Sequence, residues 1–331
     1  MTVPLLEVRD LVVEFPTRRG VPRALDGLSL HIGKGEILGV VGESGAGKSL
    51  TGAAIMGLLT PPGRIAGGSV HLDGARIDTL PPHAMRRIRG RRIGMIFQDP
   101  LTTLNPLLRI GRQIVETMRT HLPLSEAEAR RGAIAWLERV GIPDPDRRVD
   151  SWPHEFSGGQ RQRVVIAMAL GAEPELVIAD EPTTALDVSV QAQVIALLKT
   201  LTREKGAAVM LITHDMGVIA EAADRVAVLY AGRLAEIGPV ATVLRDPAHP
   251  YTRGLMDSIP SLEHRLPRLS QIEGAMPRLH AIPSGCAFHP RCPHAFERCR
   301  VERPVLSPAG AGEAACWLRA PAPLAGIPAH D

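Results

Sequence analysis

The sequence predicts an α/β protein built on a parallel sheet that carries a phosphate-binding strand–loop–helix. A small antiparallel sheet precedes it, a helical insert interrupts it, and a small irregular cysteine-containing domain follows. Three observations point there. An apolar run at 36–41 leads through Gly42-Glu43-Ser44-Gly45-Ala46-Gly47-Lys48-Ser49 into a helix-forming stretch at 50–56. Further apolar runs of strand length, at 93–97, 175–179 and 208–213, each end in polar side chains. Apolar spacing turns helical between 105 and 150, and all four cysteines fall within 286–316.

The elements follow in order. Residues 5–14 alternate loosely and then turn apolar, as an edge strand does, and 28–32 alternates as a second strand closed by Gly33-Lys34-Gly35. Phe15 lies between them; its ring either stacks on a nucleotide base or packs in the sheet. In the P-loop, Gly42, Gly45 and Gly47 remove Cβ atoms so that the backbone can wrap an anion. Successive N–H groups then face the phosphate oxygens, with the positive end of the following helix behind them. Lys48 is expected to meet the β- and γ-phosphates and the Ser49 hydroxyl to ligate Mg²⁺.

Pro61-Pro62-Gly63 breaks the chain, and 68–74 reads as a strand and turn. The strand at 93–97 ends at Gln98, an amide at the sheet edge where α/β proteins bind ligands. Ile110, Ile114, Val115 and Met118, then Ala133, Trp136, Leu137 and Val140, recur at helical spacing, with Ser125 and Glu128 placed as a capping box. Ser157 precedes Gly158, Gly159 and Gln160 and is placed to cap the next helix, whose glycines leave its first N–H groups uncovered. The 175–181 run closes on Asp180 and Glu181. Strand neighbours point to opposite faces, so Asp180 suits Mg²⁺ and Glu181 suits orienting an attacking water. A third run ends at Thr213-His214. A hairpin at 225–236 turns on Ala231-Gly232, and from about 246 prolines thicken and the sheet pattern ends.

Composition sets the bounds. A chain of 331 residues holds one large α/β domain and a small appendage. A net charge of +3 and 3% aromatic residues leave neither the field nor the stacking platforms of a nucleic-acid binder. No apolar run is long enough to span a bilayer and no secretory signal opens the chain, so a cytoplasmic location is expected.

Together these motifs resemble those of the nucleotide-binding subunits of ABC transporters. Gly42 to Ser49 is similar to Walker A, Gln98 to the Q-loop, and Ser157-Gly158-Gly159-Gln160 to the signature, with Phe156 where leucine is more usual. Leu176 to Asp180 resembles Walker B followed by Glu181; Thr184-Ala185-Leu186-Asp187 resembles the D-loop, and His214 the switch histidine. The resemblance spans roughly 5–245. It implies an ATP hydrolase (ABC-type P-loop fold) that works as a pair, ATP on one Walker A being covered by the other subunit's signature. Phe15, Gly42–Ser49, Ser157–Gln160 and Asp187 would then hold nucleotide; Ser49, Gln98 and Asp180 would hold Mg²⁺; Glu181, His214 and Gln98 would serve catalysis.

A narrower likeness is to the ATPases of dipeptide and oligopeptide importers, carried by Gln98-Asp99-Pro100-Leu101-Thr102-Thr103-Leu104-Asn105-Pro106 and by His249-Pro250-Tyr251-Thr252-Arg253-Gly254-Leu255. It implies an ATPase domain at 1–245, with a helical subdomain at about 105–155, and a C-terminal extension at 246–331. It also implies two permease subunits, a second ATPase (a paralogue, giving a heterodimer), an extracytoplasmic substrate-binding protein acting indirectly, no nucleic acid, and residence on the cytoplasmic face of the inner membrane. Related importers take nickel, glutathione, opines or oligosaccharides, so a transporter type is implied more firmly than a cargo. Cys286, Cys292, Cys299 and Cys316 fit neither paired zinc-knuckle spacing nor ferredoxin runs. A [4Fe–4S] cluster, which the resemblance implies, zinc drawing on His289 or His294, and free buried thiols all stay open. Rival readings are a soluble ABC ATPase of DNA repair or translation, which usually carries two cores or a long coiled coil, and a kinase-like P-loop transferase, which the signature and His214 oppose.

Overall fold

The computed structural model describes residues 3–18, 20–183, 187–258 and 271–319. In chain order the strands are β1 (Leu6–Glu14), β2 (Arg23–Ile32), β3 (Ile37–Val41), β4 (Arg64–Leu72), β5 (Ala75–Arg76), β6 (Ile93–Ile96), β7 (Leu176–Asp180), β8 (Ala208–Ile212), β9 (Arg225–Tyr230), β10 (Arg233–Pro239), β11 (Ser307–Ala309) and β12 (Gly312–Ala314). They form two sheets, one ordered β2-β1-β4-β5 and one ordered β11-β12-β10-β9-β3-β8-β7-β6.

The larger sheet is parallel from β9 through β3, β8 and β7 to β6. β3, β7 and β8 are five-residue strands buried at every position. Their alternate side chains enter different cores because strand side chains alternate faces. Val41, Val177, Ala179, Val209 and Leu211 join the helices and the helical insert. Leu38, Val40, Ile178, Met210 and Ile212 join the small antiparallel sheet. Burial on both faces is why these strands read as unbroken apolar runs.

In the small sheet, β1 is an interior strand, antiparallel to β2 on one side and to β4 on the other, which corrects the edge assignment. The loose alternation has a local cause: the β1–β2 and β1–β4 registers shift near Arg9–Leu11, where Asp10 adopts φ 45°.

The insert is helical, with helices at Ile110–His121, Glu126–Arg139 and Pro145–Arg148. Ile110, Ile114, Met118, Ala133, Trp136 and Leu137 are buried, and Val115 is half-buried against them. The Ser125–Glu128 capping box is present.

The sheet does not end near residue 246. β12 pairs antiparallel with β10 (Glu236 opposite Ala314), so the far end of the described chain extends the main sheet. A helix at Pro250–Asp257 precedes it, capped by the ring of buried His249, which accepts the Tyr251 N–H at 3.0 Å.

Candidate nucleotide site

β3, β6, β7 and β8 run parallel, so their carboxyl ends share one edge of the sheet, the edge at which such sheets bind ligands. The glycine loop leaves β3, and Gln98, Glu181 and His214 follow β6, β7 and β8. Gly42 takes φ 148°, and a Cβ there would lie 2.3 Å from the Leu229 carbonyl oxygen; at Gly47 (φ 103°) it would lie 2.7 Å from Leu25 Cδ2. Larger residues are shut out at both ends of the loop. Lys48 Nζ donates to the Gly42 and Glu43 carbonyls at 2.7 and 3.1 Å, folding the loop around its own cation. Burial lowers the Lys48 pKa, while the Glu181, Asp180 and Glu43 charges oppose that shift.

Ser49 Oγ donates to Asp180 Oδ1 at 2.8 Å. Burial raises the Asp180 pKa, and the Ser49 hydrogen bond works against that. A hydroxyl and one carboxylate beside a phosphate loop suit Mg²⁺, which takes few protein ligands and fills its octahedron with phosphate and water oxygens.

Glu181 is the hub of the edge. Its Oε2 accepts from Gln98 Nε2 at 3.0 Å, and its Oε1 lies 3.2 Å from His214 Nδ1. Divergence from Asp180 does not rest on strand alternation alone. Glu181 stands one residue past β7 with φ 46°, a left-handed conformation rare for a non-glycine residue. Its N–H holds that turn by donating to the Ile212 carbonyl at 2.8 Å.

A cavity of about 670 Å³ is lined by Ser44–Ser49, Gln98, Glu181 and His214. Phe15 does not line it. The Phe15 ring lies against Gly63 and is half-buried beside the core beneath the small sheet. Gly42, Glu43 and Asp180 stand behind the lining. The signature residues lie outside the cavity: Ser157 caps the helix Gly158–Leu170 by accepting from Gln160 N–H, and the Gln160 side chain returns to the Ser157 N–H. Ser157 and Gly158 are exposed, and a Cβ on Gly158 would meet nothing within 4 Å. That helix end is open to another molecule. Asp187 caps the helix Val188–Lys205, accepting from Val190 N–H at 2.9 Å; Thr184, Ala185 and Leu186 lie outside the described residues.

Sequence reasoning missed a second set of residues. Ala24, Ala231 and, from the C-terminal segment, Met276, Pro277, Arg278, Leu279 and Ile282 also line the cavity. Behind the loop, Arg291 grips Glu43 bidentately at 2.7 and 2.9 Å, and the buried Tyr251 hydroxyl accepts the Glu43 N–H at 2.8 Å. No periodicity or spacing announces a contact between residues 248 positions apart.

The cysteines give a different outcome. Among the described residues no group of three or more His, Cys, Asp or Glu side chains is arranged to hold a metal ion. His289 Nδ1 lies 3.0 Å from the Cys286 carbonyl oxygen, tied to backbone. Burial pushes the Cys286 thiol up to about 11, and it raises Cys292 and Cys316 as well.

A parallel sheet, a phosphate loop and an exposed serine-capped glycine helix end define an ATP-binding cassette ATPase, an enzyme that hydrolyses ATP. Residues 25–184 match the ABC transporter family and residues 235–299 the oligopeptide/dipeptide transporter C-terminal region. The chain is 48% identical to the oligopeptide transport ATP-binding protein OppD of Salmonella typhimurium, over 91% of this chain and 90% of that one. It is 50% identical to OppD of Bacillus subtilis (88% and 82% covered) and 43% identical to the dipeptide transport ATP-binding protein DppD of Haemophilus influenzae (94% of each). A dimeric ATP-binding cassette bound to ADP and Pi superposes with a TM-score of 0.66 at 29% identity, covering 71% of this chain and 98% of that one. This chain belongs to the ABC transporter ATP-binding subunits of the oligopeptide/dipeptide type.

Proposed function

We propose that this chain is the ATP-hydrolysing subunit of a bacterial importer of di- and oligopeptides. The observation that carries the reading is the Glu181 hub: one carboxylate at the mouth of the phosphate cavity, held by Gln98 and His214. Lys48 and the loop N–H groups bind the phosphates, while Ser49 and Asp180, with Gln98, are the residues for Mg²⁺. That ion would neutralise phosphate charge and align the β- and γ-phosphoryl groups. Glu181 accepts a proton from, or orients, the attacking water, and His214 contacts the γ-phosphate.

Gly158 and its neighbours complete a sister subunit's site, and Asp187 stands at the same joint. We assign 1–245 to the ATPase domain and 246–331 to the C-terminal extension. The partners in this reading are two permease subunits and a second ATPase, a paralogue, on the cytoplasmic face of the inner membrane. A substrate-binding protein brings the peptide. Among the described residues no helix is long and apolar enough to cross a membrane. The permease contact is proposed at 102–115, where Leu107 is 79% exposed, with neighbouring Leu101 at 64%.

Glu181→Gln is the test. It should bind ATP with parental affinity, lose at least about a hundredfold in kcat, and accumulate an ATP-trapped dimer. Undiminished turnover refutes the assignment.

For the four cysteines we propose a [4Fe–4S] cluster. Support comes from the fold, which brings cysteines distant in sequence together: the Cys286 N–H donates to the Cys299 carbonyl at 2.9 Å. A cluster binds its thiolates on separate irons and so wants them wider apart than a single ion does. Anaerobically purified protein that is colourless and iron-free refutes it.

A further inference from the structure

One wall of the nucleotide cavity comes from residues 276–282, more than two hundred positions beyond the phosphate loop. The segment touches the loop itself: Met276 Cγ would lie 3.9 Å from a Cβ on Gly45. It is also anchored to the loop. Arg291, while gripping Glu43, donates to the Glu273 carbonyl at 2.9 Å and to the Ile272 carbonyl at 3.4 Å. One guanidinium thus fixes the start of the 276–282 segment to Walker A. The Ala281 N–H donates to the Arg278 carbonyl at 2.8 Å, a turn that sets Arg278 at the cavity wall.

Arg278 carries a full charge there. It is exposed and has no ion-pair or hydrogen-bond partner for its side chain among the described residues. The other arginine of this region, Arg291, is fully engaged. Arg278, without an acidic partner among the described residues, lines the same cavity as Lys48 and the phosphate loop, and a guanidinium there is matched to a polyphosphate, which offers oxygens in the spacing of its fork.

We propose that Arg278 is a nucleotide-binding residue supplied in cis by the C-terminal segment. Its guanidinium contacts the phosphates of the bound nucleotide, with Met276 and Leu279 beside it in the same wall. The inference rests on the ATP reading above and extends it to a segment outside the cassette core. It also makes the extension part of the site rather than an appendage.

The test compares Arg278→Ala, Arg278→Lys and Arg278→Glu in the full chain, by titration with ATP, ADP and adenosine. Arg278→Ala should weaken ATP and ADP by about tenfold, and Arg278→Glu by more, with Arg278→Lys in between. Adenosine binding should not change, KM should rise with kcat within about twofold, and the melting temperature should hold. ATP affinity of Arg278→Ala within twofold of the parent overturns the proposal. So does an equal loss for adenosine, which would move the residue from phosphate to base. A parent chain that binds no ATP overturns the ATP reading itself, so the two failures are distinguishable.

Discussion

Arg291→Met breaks the clasp between the C-terminal segment and Walker A. The Arg291 side chain is 5% exposed and pairs bidentately with Glu43 at 2.7 and 2.9 Å; Glu43 is 31% exposed. Removing one partner of a fully buried pair costs about 3–5 kcal/mol, because the other charge is left without compensation. Water reaches Glu43, which lowers the figure here to about 2–3 kcal/mol. Arg291 also loses its bonds to the Ile272 and Glu273 carbonyls, which Met cannot replace. Glu43→Gln alone should cost less, since the amide can still accept from Arg291. The double variant should be less damaged than the sum of the singles by at least about 1 kcal/mol, because no stranded charge remains. Urea denaturation followed by tryptophan fluorescence reads this out. Trp317 lies in the same C-terminal segment, its indole N–H donating to the Glu302 carbonyl at 3.0 Å and its ring under the Arg298 guanidinium. Placing Trp317 in a Trp136→Phe, Trp152→Phe background isolates the signal. A loss below about 0.5 kcal/mol for Arg291→Met, or strictly additive singles, refutes the clasp.

Other outcomes are expected. Lys48→Ala should weaken ATP binding by about 10- to 100-fold, the worth of one charge-assisted contact, and calorimetric titration checks it. His249 is buried and its pKa is pushed down to about 4, whereas the unfolded ring titrates near 6.5. The unfolded chain therefore binds the extra proton between those values: stability is full above about pH 6.5 and falls by up to about 1.4 kcal/mol per pH unit towards pH 4. His249→Asn keeps a capping acceptor for the Tyr251 N–H and should flatten that slope in urea melts at pH 4.5 to 7; an unchanged slope argues against the neutral ring. Leu107→Arg should leave basal ATPase intact in the isolated subunit and abolish peptide uptake in reconstituted vesicles. Retained uptake would remove 102–115 from the permease contact.

Sequence reasoning reached the strands buried on both faces, because an apolar run such as Ile37–Val41 has no other economical home, and it reached the polar residues they deliver because parallel strands share a carboxyl edge. What it did not reach has particular physical reasons. β1 looked like an edge because the register shift near Asp10 scrambles its alternation, although partners flank it on both sides. Phe15 could face either way, and its contact with Gly63 is a long-range one that no local pattern announces. The divergence of Asp180 from Glu181 depends on a left-handed turn that no propensity favours for glutamate. The return of residues 276–291 to the phosphate loop is a long-range contact made by single side chains, and single side chains leave no period to read.

The pairing of β12 with β10 bears on how this polypeptide is born. Synthesis is vectorial, and Pro239 leaves the ribosome 73 residues before Gly312 does. At about 5–20 residues per second that is roughly 4–15 s in which the outer backbone of β10 has no neighbour. During that interval the nascent cassette offers an unpaired strand edge to any other chain. Expression trials that shorten the gene before the codons for 312–314 make the interval permanent, and insolubility of such products would follow from the missing hairpin rather than from a fault in the cassette.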